Sequence, residues 1–286
     1  MFESSLRAVL RVTLSLALIG IGAAQESPVQ TGEYLGQVPP DSIPEIFAPG
    51  IISVEGRYEY GLAVSPDGNE IFFTADGPGD GLMVMRQVDG VWTKPEAANL
   101  TGKGIWEFEA FYTVDGSKVF FSAIEEVRKS RIWYSERDTT GWTSATMLES
   151  PVNSVDVFWA TFTKDGTIYY TDINQGKIFR SKLVDGAYKV TEDVGLPFGV
   201  HPFISPDESF ILFNAKDDLY ITFRQDDTTW GEPLSLGDQI NSSYGETCPS
   251  LSPDGKYIFF SRYNEPEEKS NIYWVSSKVI EKLRSY

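Results

Sequence analysis

Five stretches of this chain repeat one succession of apolar and polar positions. An apolar run leads into an Asp-Gly turn, a second and wholly apolar run follows at once, and a third comes after a polar loop. The turns align without gaps as Leu62 to Gly68, Ala110 to Gly116, Ala160 to Gly166, Pro202 to Glu208 and Pro249 to Gly255. Their aspartates, Asp67, Asp115, Asp165, Asp207 and Asp254, lie about 48, 50, 42 and 47 residues apart, a period that points to propeller blades. The second runs begin at Ile71, Val119, Ile168, Ile211 and Ile258, and their unbroken β-branched and aromatic character suits strands buried on both faces. Third strands are expected from Leu82, Ile132, Ile178, Leu219 and Ile272, and fourth strands around Trp92, Trp142, Tyr188 and Trp230.

The fifth copy has no such fourth strand, because the chain then ends in Val279 to Leu283, which reads as a short helix. The missing strand is available at the other end, where Ile46 to Ser53 precedes the first copy. Its pairing into the last blade would leave no open sheet edge between the ends. The predicted fold is therefore all-β: a five-bladed β-propeller of four-stranded antiparallel blades, closed by the N-terminal strand. Glu208 in place of a turn glycine, and one residue fewer after the third turn, read as local variation.

The segments Ser65-Pro-Asp-Gly and Ser252-Pro-Asp-Gly-Lys-Tyr-Ile-Phe-Phe-Ser261 resemble the repeat of the TolB-type (WD-like) β-propeller family, over about residues 46 to 275. The resemblance implies the fold and a periplasmic setting. The family's best-known member binds protein partners, but the repeat itself folds blades and is shared by catalytic and non-catalytic propellers.

Arg7 and Arg11 precede an apolar run, Val12 to Ile21, that ends in Gly22-Ala23-Ala24, the pattern of a cleaved export signal. That run falls short of the ~20 apolar residues of a membrane span. Residues 1–24 are expected as signal peptide, 25–45 as a mobile leader and 46–286 as one propeller domain, periplasmic or secreted, with a monomer the expected state. The formal net charge of −17 speaks against nucleic-acid binding, which rests on cationic side chains against phosphates. Cys248 is the single cysteine, so no internal disulfide can form and stability must come from packing.

In a propeller the first strand of each blade lines the central channel. Residues six to nine places before the turn aspartate should then gather at one mouth: Glu59, Glu107, Glu109, Asp156, Trp159, His201, Glu246 and Cys248, with Arg262 facing them from a loop. Gathered carboxylates raise one another's pKa and suit a cation, a sugar or a cationic peptide group. Calcium is a candidate cofactor, since it takes several oxygen ligands. Cys248 is expected to be an inert wall residue, the turn aspartates to serve their turns, and Trp92, Trp142 and Trp230, which recur at the blade period, to be packing residues. Trp106 and Trp159 are the better aromatic candidates for a ligand. With no catalytic set assignable, the expected function is a binding module for a protein, peptide or small ligand. A glycan-active hydrolase or lyase using the same carboxylates is the alternative.

Overall fold

A hydroxyl and a carboxylate two residues apart build each turn by taking over backbone hydrogen bonds. In the first copy Asp67 accepts from Asn69 N at 3.1 Å and from the Ser65 hydroxyl, whose oxygen accepts from Glu70 N at 2.9 Å. Thr113 with Asp115, Thr163 with Asp165 and Ser252 with Asp254 repeat the pairing, and Ser205 and Asp207 both accept from Ser209 N. Glu208 occupies the glycine position with φ 56°, and its carboxylate links two copies by accepting from Tyr169 Oη at 2.7 Å and Arg224 at 2.9 Å.

The computed structural model describes residues 30–285 apart from 78–79, 127–128, 227–228, 265–266 and 268, so the expected signal peptide lies outside the described residues. The described chain is predominantly β. Each turn joins two antiparallel strands, and a third pairs with the second. The triplets are Tyr58–Val64, Glu70–Asp76 and Gly81–Val88; Trp106–Tyr112, Lys118–Glu126 and Lys129–Asp138; Val157–Phe162, Ile168–Asp172 and Lys177–Ser181; Val200–Ile204, Phe210–Ala215 and Asp218–Phe223; Gly245–Leu251, Tyr257–Asn264 and Lys269–Ser276. Two-residue strands, Glu96–Ala97, Thr146–Met147, Glu192–Asp193 and Leu234–Ser235, pair with the third strands of copies one to four. In the fifth copy Glu45–Ile46 takes that place against Tyr273 and Trp274.

The N-terminal pairing is displaced from its expected place. Residues 47–53, read as strand, instead turn beneath the sheet after Phe47 N donates to Ile272 O at 2.8 Å, and the Ser53 hydroxyl bonds both backbone groups of Ile272. Ala48 and Gly50 have positive φ, which an extended strand cannot hold. Of the expected mobile leader, residues 25–29 lie outside the described residues, and from Gln30 on the segment is anchored at several points although much of it is exposed. Leu35 is buried, Tyr34 lies on Tyr257 and Trp274, and Gly32 O accepts from Trp92 Nε1 at 2.9 Å. Helix Lys278–Arg284 buries Ile280 against the fourth and fifth copies.

Apolar side chains pack between successive copies. Phe72, Val84, Val119 and Trp133 join the first to the second; Phe120, Ile132, Ile168 and Tyr170 the second to the third. Tyr169, Ile178, Ile211 and Phe213 join the third to the fourth, and Leu212, Ile221, Ile258 and Phe260 the fourth to the fifth. The fifth meets the first through Phe259, Trp274, Ile71 and Phe73, with Phe47 and Ile52 between them. The five first strands touch one another in cyclic order.

Each first strand carries a β-bulge, with its register shifting at Tyr60/Ala63, Phe108/Phe111, Phe158/Thr161, Val200/Phe203 and Thr247/Ser250. The residue six places before the turn aspartate sits in each bulge with positive φ: Gly61 63°, Glu109 54°, Trp159 59°, His201 51° and Cys248 56°. For a non-glycine residue that conformation costs about 1–2 kcal/mol. The surrounding sheets hold it in place. Thr74, Ser122 and Thr171, each closing the apolar run of the preceding copy, accept the displaced N–H groups of Glu109, Trp159 and His201 at 2.9, 3.2 and 3.0 Å.

Candidate functional site

The bulge divides the residues expected at the channel mouth into two sets. In a regular strand, positions eight and six before the turn aspartate face the same way. Two residues opposing one on the partner strand break that alternation and re-aim the bulged side chain.

At the eighth position the carboxylates of Glu59, Glu107 and Glu246 are buried, and each fastens the loop that leads into its own strand. Glu59 accepts from Val54 N at 3.2 Å and Arg57 Nε at 2.6 Å. Glu107 accepts from Leu100 N at 2.8 Å, Thr101 N at 2.7 Å and the Thr101 hydroxyl at 2.5 Å. Glu246 accepts from Ser242 N at 3.0 Å, its hydroxyl at 2.6 Å and Arg262 Nε at 2.7 Å, while a terminal nitrogen of Arg262 donates to Ile240 O. These three carboxylates and Arg262 thus anchor loops, contrary to the acidic ring expected of them. Asp156 pairs with Arg131 at 2.7 Å in a partly exposed position, and Trp106 packs beside Gly81 rather than with Trp159.

At the sixth position the side chains converge. Trp159 is fully buried, 4.6 Å from the Phe111 ring and edge-on to His201 at 5.1 Å. A Cβ on Gly61 would lie 3.2 Å from Trp159 Cζ3 and 3.4 Å from Glu109 Cγ, so any larger residue would crowd both. Glu109 is 4% exposed, with Oε1 at 3.5 Å from His201 Nε2, while Oε2 has no hydrogen-bond partner among the described residues. Cys248, also buried, completes the group, and the ligating atoms of Glu109, His201 and Cys248 all lie within 4.8 Å of one another.

A second layer orients the first. His201 Nδ1 is 2.7 Å from Asn214 Oδ1, and the Thr247 hydroxyl lies 3.1 Å from that oxygen, 3.3 Å from Nδ1 and 3.5 Å from Cys248 Sγ. An amide oxygen can only accept, so Nδ1 carries a proton and Nε2 faces Glu109. Burial raises the Glu109 carboxyl above its ordinary value, and His201 only partly offsets this. Burial opposes the charge on His201, but Cys248 and Glu109 beside it outweigh burial and push it up to about 10. Burial also raises the Tyr58 and Tyr60 hydroxyls, and the nearby Glu109 and Cys248 reinforce the shift.

Of the expected mouth residues, Glu109, Trp159 and His201 come together. Cys248 joins them as a donor where an inert wall was expected, and Asn214, Thr247, Tyr58 and Tyr60 were not singled out. Asn214 had a sequence signal, since it ends the second apolar run where the other copies place Thr74, Ser122, Thr171 and Ser261. Calcium is poorly matched by one free carboxylate, an imidazole and a thiol. Those donors suit a borderline metal ion. On the turn side, a cavity of about 480 Å³ is lined by all five copies, including Ala63, Phe111 and Phe203 from around the cluster.

No family model matches the chain, and no curated protein does. Solved structures do. A protein of Agrobacterium tumefaciens assigned as TolB is similar with a TM-score of 0.50 and 22% identity, covering 73% of this chain and 71% of its own. TolB of Acinetobacter baumannii gives 0.49 at 15% identity, with 77% and 57% covered. Regucalcin of Agrobacterium tumefaciens, described as a calcium-binding protein, gives 0.48 at 13%, with 76% and 89% covered. At 22% identity the first of these shows a likeness in fold alone, a propeller-type fold. Among the described residues no helix is long and apolar enough to cross a membrane.

Proposed function

We propose that this chain is an exported, non-catalytic binding propeller of five blades. Its ring is latched by Glu45–Ile46, and it takes a small ligand or cation at the cluster formed by Glu109, His201 and Cys248. The cyclic contacts of the first strands and the pairing of Glu45–Ile46 with the fifth copy support the ring. Arg7, Arg11 and the apolar run after them support export.

The observation that carries the binding reading is Glu109 itself. A carboxylate buried to 4% exposure with an unpartnered oxygen is costly, and a bound group that pairs with it removes the cost. The glycan-active alternative needs a second carboxylate free to act as acid or base. Glu107 and Glu246 are committed through both carboxylate oxygens and Glu59 through Oε1, which favours binding over turnover; Glu59 Oε2, like Glu109 Oε2, has no partner among the described residues.

The test pairs a melting-temperature screen against divalent ions, amines and short glycans with an assay for reducing ends released from a glycan panel. One ligand class should raise the melting temperature of the wild type, as a ligand specific for the folded form must, and fail to do so in Glu109→Gln. Reducing ends released by the wild type, or no stabilisation by any of the three classes, would contradict the reading.

A further inference from the structure

We infer that Glu109, His201 and Cys248 form a binding site for a thiophilic divalent metal ion of the Zn²⁺ type. The inference rests on the binding reading above and names the ligand class of that same cluster.

The geometry is nearly set. Zinc bonds to nitrogen and oxygen of ~2.0–2.2 Å, and to sulfur of ~2.3 Å, place neighbouring ligands in a tetrahedron roughly 3.3–3.6 Å apart. Glu109 Oε1 and His201 Nε2 are 3.5 Å apart. That separation exceeds the ~2.7–2.9 Å of a charge-assisted hydrogen bond, so the two groups do not satisfy each other as a close ion pair. The third donor, Cys248 Sγ, lies within 4.8 Å of a ligating atom of each of the other two residues. Three protein ligands leave the fourth position of a tetrahedral ion open, and His201, with 16% of its side chain exposed, gives solvent a way in.

Three further observations point the same way. Glu109 Oε2 is buried without a partner, an unmet acceptor in the cluster. Asn214 Oδ1 holds the Nδ1 proton of His201, the outer-layer contact that fixes a metal-ligating imidazole with Nε2 inward. The Thr247 hydroxyl, with one proton to donate, is in reach of Asn214 Oδ1, which holds His201, and of Cys248 Sγ, so it sits against two of the ligand positions. The three donors come from copies two, four and five, each held at positive φ by its bulge, so the sheets rather than local sequence set their approach. Binding exchanges protons for metal. The Cys248 thiol proton, and any proton on the Glu109 carboxyl or on His201 Nε2, pass to solvent as the Zn–S, Zn–O and Zn–N bonds form.

Cobalt substitution tests the inference on the wild-type protein. Added Co²⁺ should give tetrahedral d–d absorption with a thiolate-to-cobalt charge-transfer band, saturating at one ion per chain and displaced by Zn²⁺. Cys248→Ser should abolish the charge-transfer band and weaken zinc binding at least about 100-fold. Asn214→Ala should keep the band and weaken binding about 10–100-fold, as loss of an outer-layer partner does. Far-ultraviolet circular dichroism of each metal-free variant confirms folding, and the wild-type spectrum is informative whether or not a variant folds. Cobalt bound without thiolate charge transfer, or zinc held as tightly by Cys248→Ser, overturns the inference. Should neither ion bind while an amine or glycan stabilises the wild type but not Glu109→Gln, the metal assignment fails and the binding function stands.

Discussion

Gly61, Glu109, Trp159, His201 and Cys248 occupy one structural position in five copies, and the chemistry of the molecule depends on how differently they fill it. Gly61 is the counterpart of Trp159, its missing side chain making room for the indole. Gly61→Ala should therefore destabilise the fold by about 1–3 kcal/mol, since it adds a Cβ at φ 63° and 3.2 Å from Trp159. Chemical denaturation would show this as a lower midpoint; an unchanged midpoint would mean the rings do not crowd there. Glu107→Gln should cost about 1–3 kcal/mol by leaving buried backbone donors of Leu100 and Thr101 poorly paired. It should leave metal and ligand affinity unchanged, because Glu107 anchors a loop outside the cluster. An affinity lost along with stability would return Glu107 to the site.

At this scale the sequence was half legible. Position relative to the turn aspartate brought Glu109, Trp159 and His201 into view, but the same count placed Glu59, Glu107 and Glu246 with them, because distance along a strand does not say which way a side chain faces across a bulge. A bulge leaves no apolar or polar signature of its own, and four of the five bulged residues are not glycine, so nothing in the residue types announced it. Cys248 read as inert because a lone buried thiol ordinarily is; only its distance from two other donors alters that.

Among the elements, the turns are where charge and folding couple. Hydrogen bonds from the Thr113 hydroxyl and Ser117 N hold the Asp115 carboxyl below its ordinary value of 3.8. At Asp67, Asp207 and Asp254 burial pulls upward, yet the donors of each turn outweigh it and the pKa is again lowered. A lowered folded pKa means that the turns contribute fully above the ordinary carboxylate range. That contribution is lost as pH falls below 3.8 through the folded values. Acid titration followed by circular dichroism should thus show stability declining below about pH 4, and Thr113→Val should move the unfolding midpoint to higher pH. A midpoint that Thr113→Val leaves in place would mean that the turn carboxylates do not govern acid stability. The strands themselves were plain in the sequence, because a second strand buried on both faces needs an unbroken apolar run, and Phe72, Phe121, Tyr170, Phe213 and Phe260 supply it. The closing element was harder to place. Ile46 to Ser53 is apolar enough for a strand, but Ala48 and Gly50 turn it under the sheet and leave the pairing to Glu45–Ile46.

For the whole molecule, the proposed closure of the ring rests on the N-terminal segment. The N-terminal segment covers the third strand of the fifth copy and fills the last interface with Phe47 and Ile52, both fully buried. Removing residues up to Ser53 should expose strand Lys269–Ser276 as an open edge and lower the melting temperature. Light scattering would then report concentration-dependent association, as uncovered edges recruit one another. A truncated chain that melts and elutes as the intact one does would mean that the ring holds without its latch. The contacts among the first strands bring Glu109, His201 and Cys248 together, residues no local motif connects.

X-ray absorption at the zinc edge reads that convergence most directly. Zinc-loaded protein is predicted to show one sulfur at about 2.3 Å with nitrogen and oxygen at about 2.0–2.2 Å. A shell of nitrogen and oxygen alone would place Cys248 away from His201 and Glu109 and contradict the account.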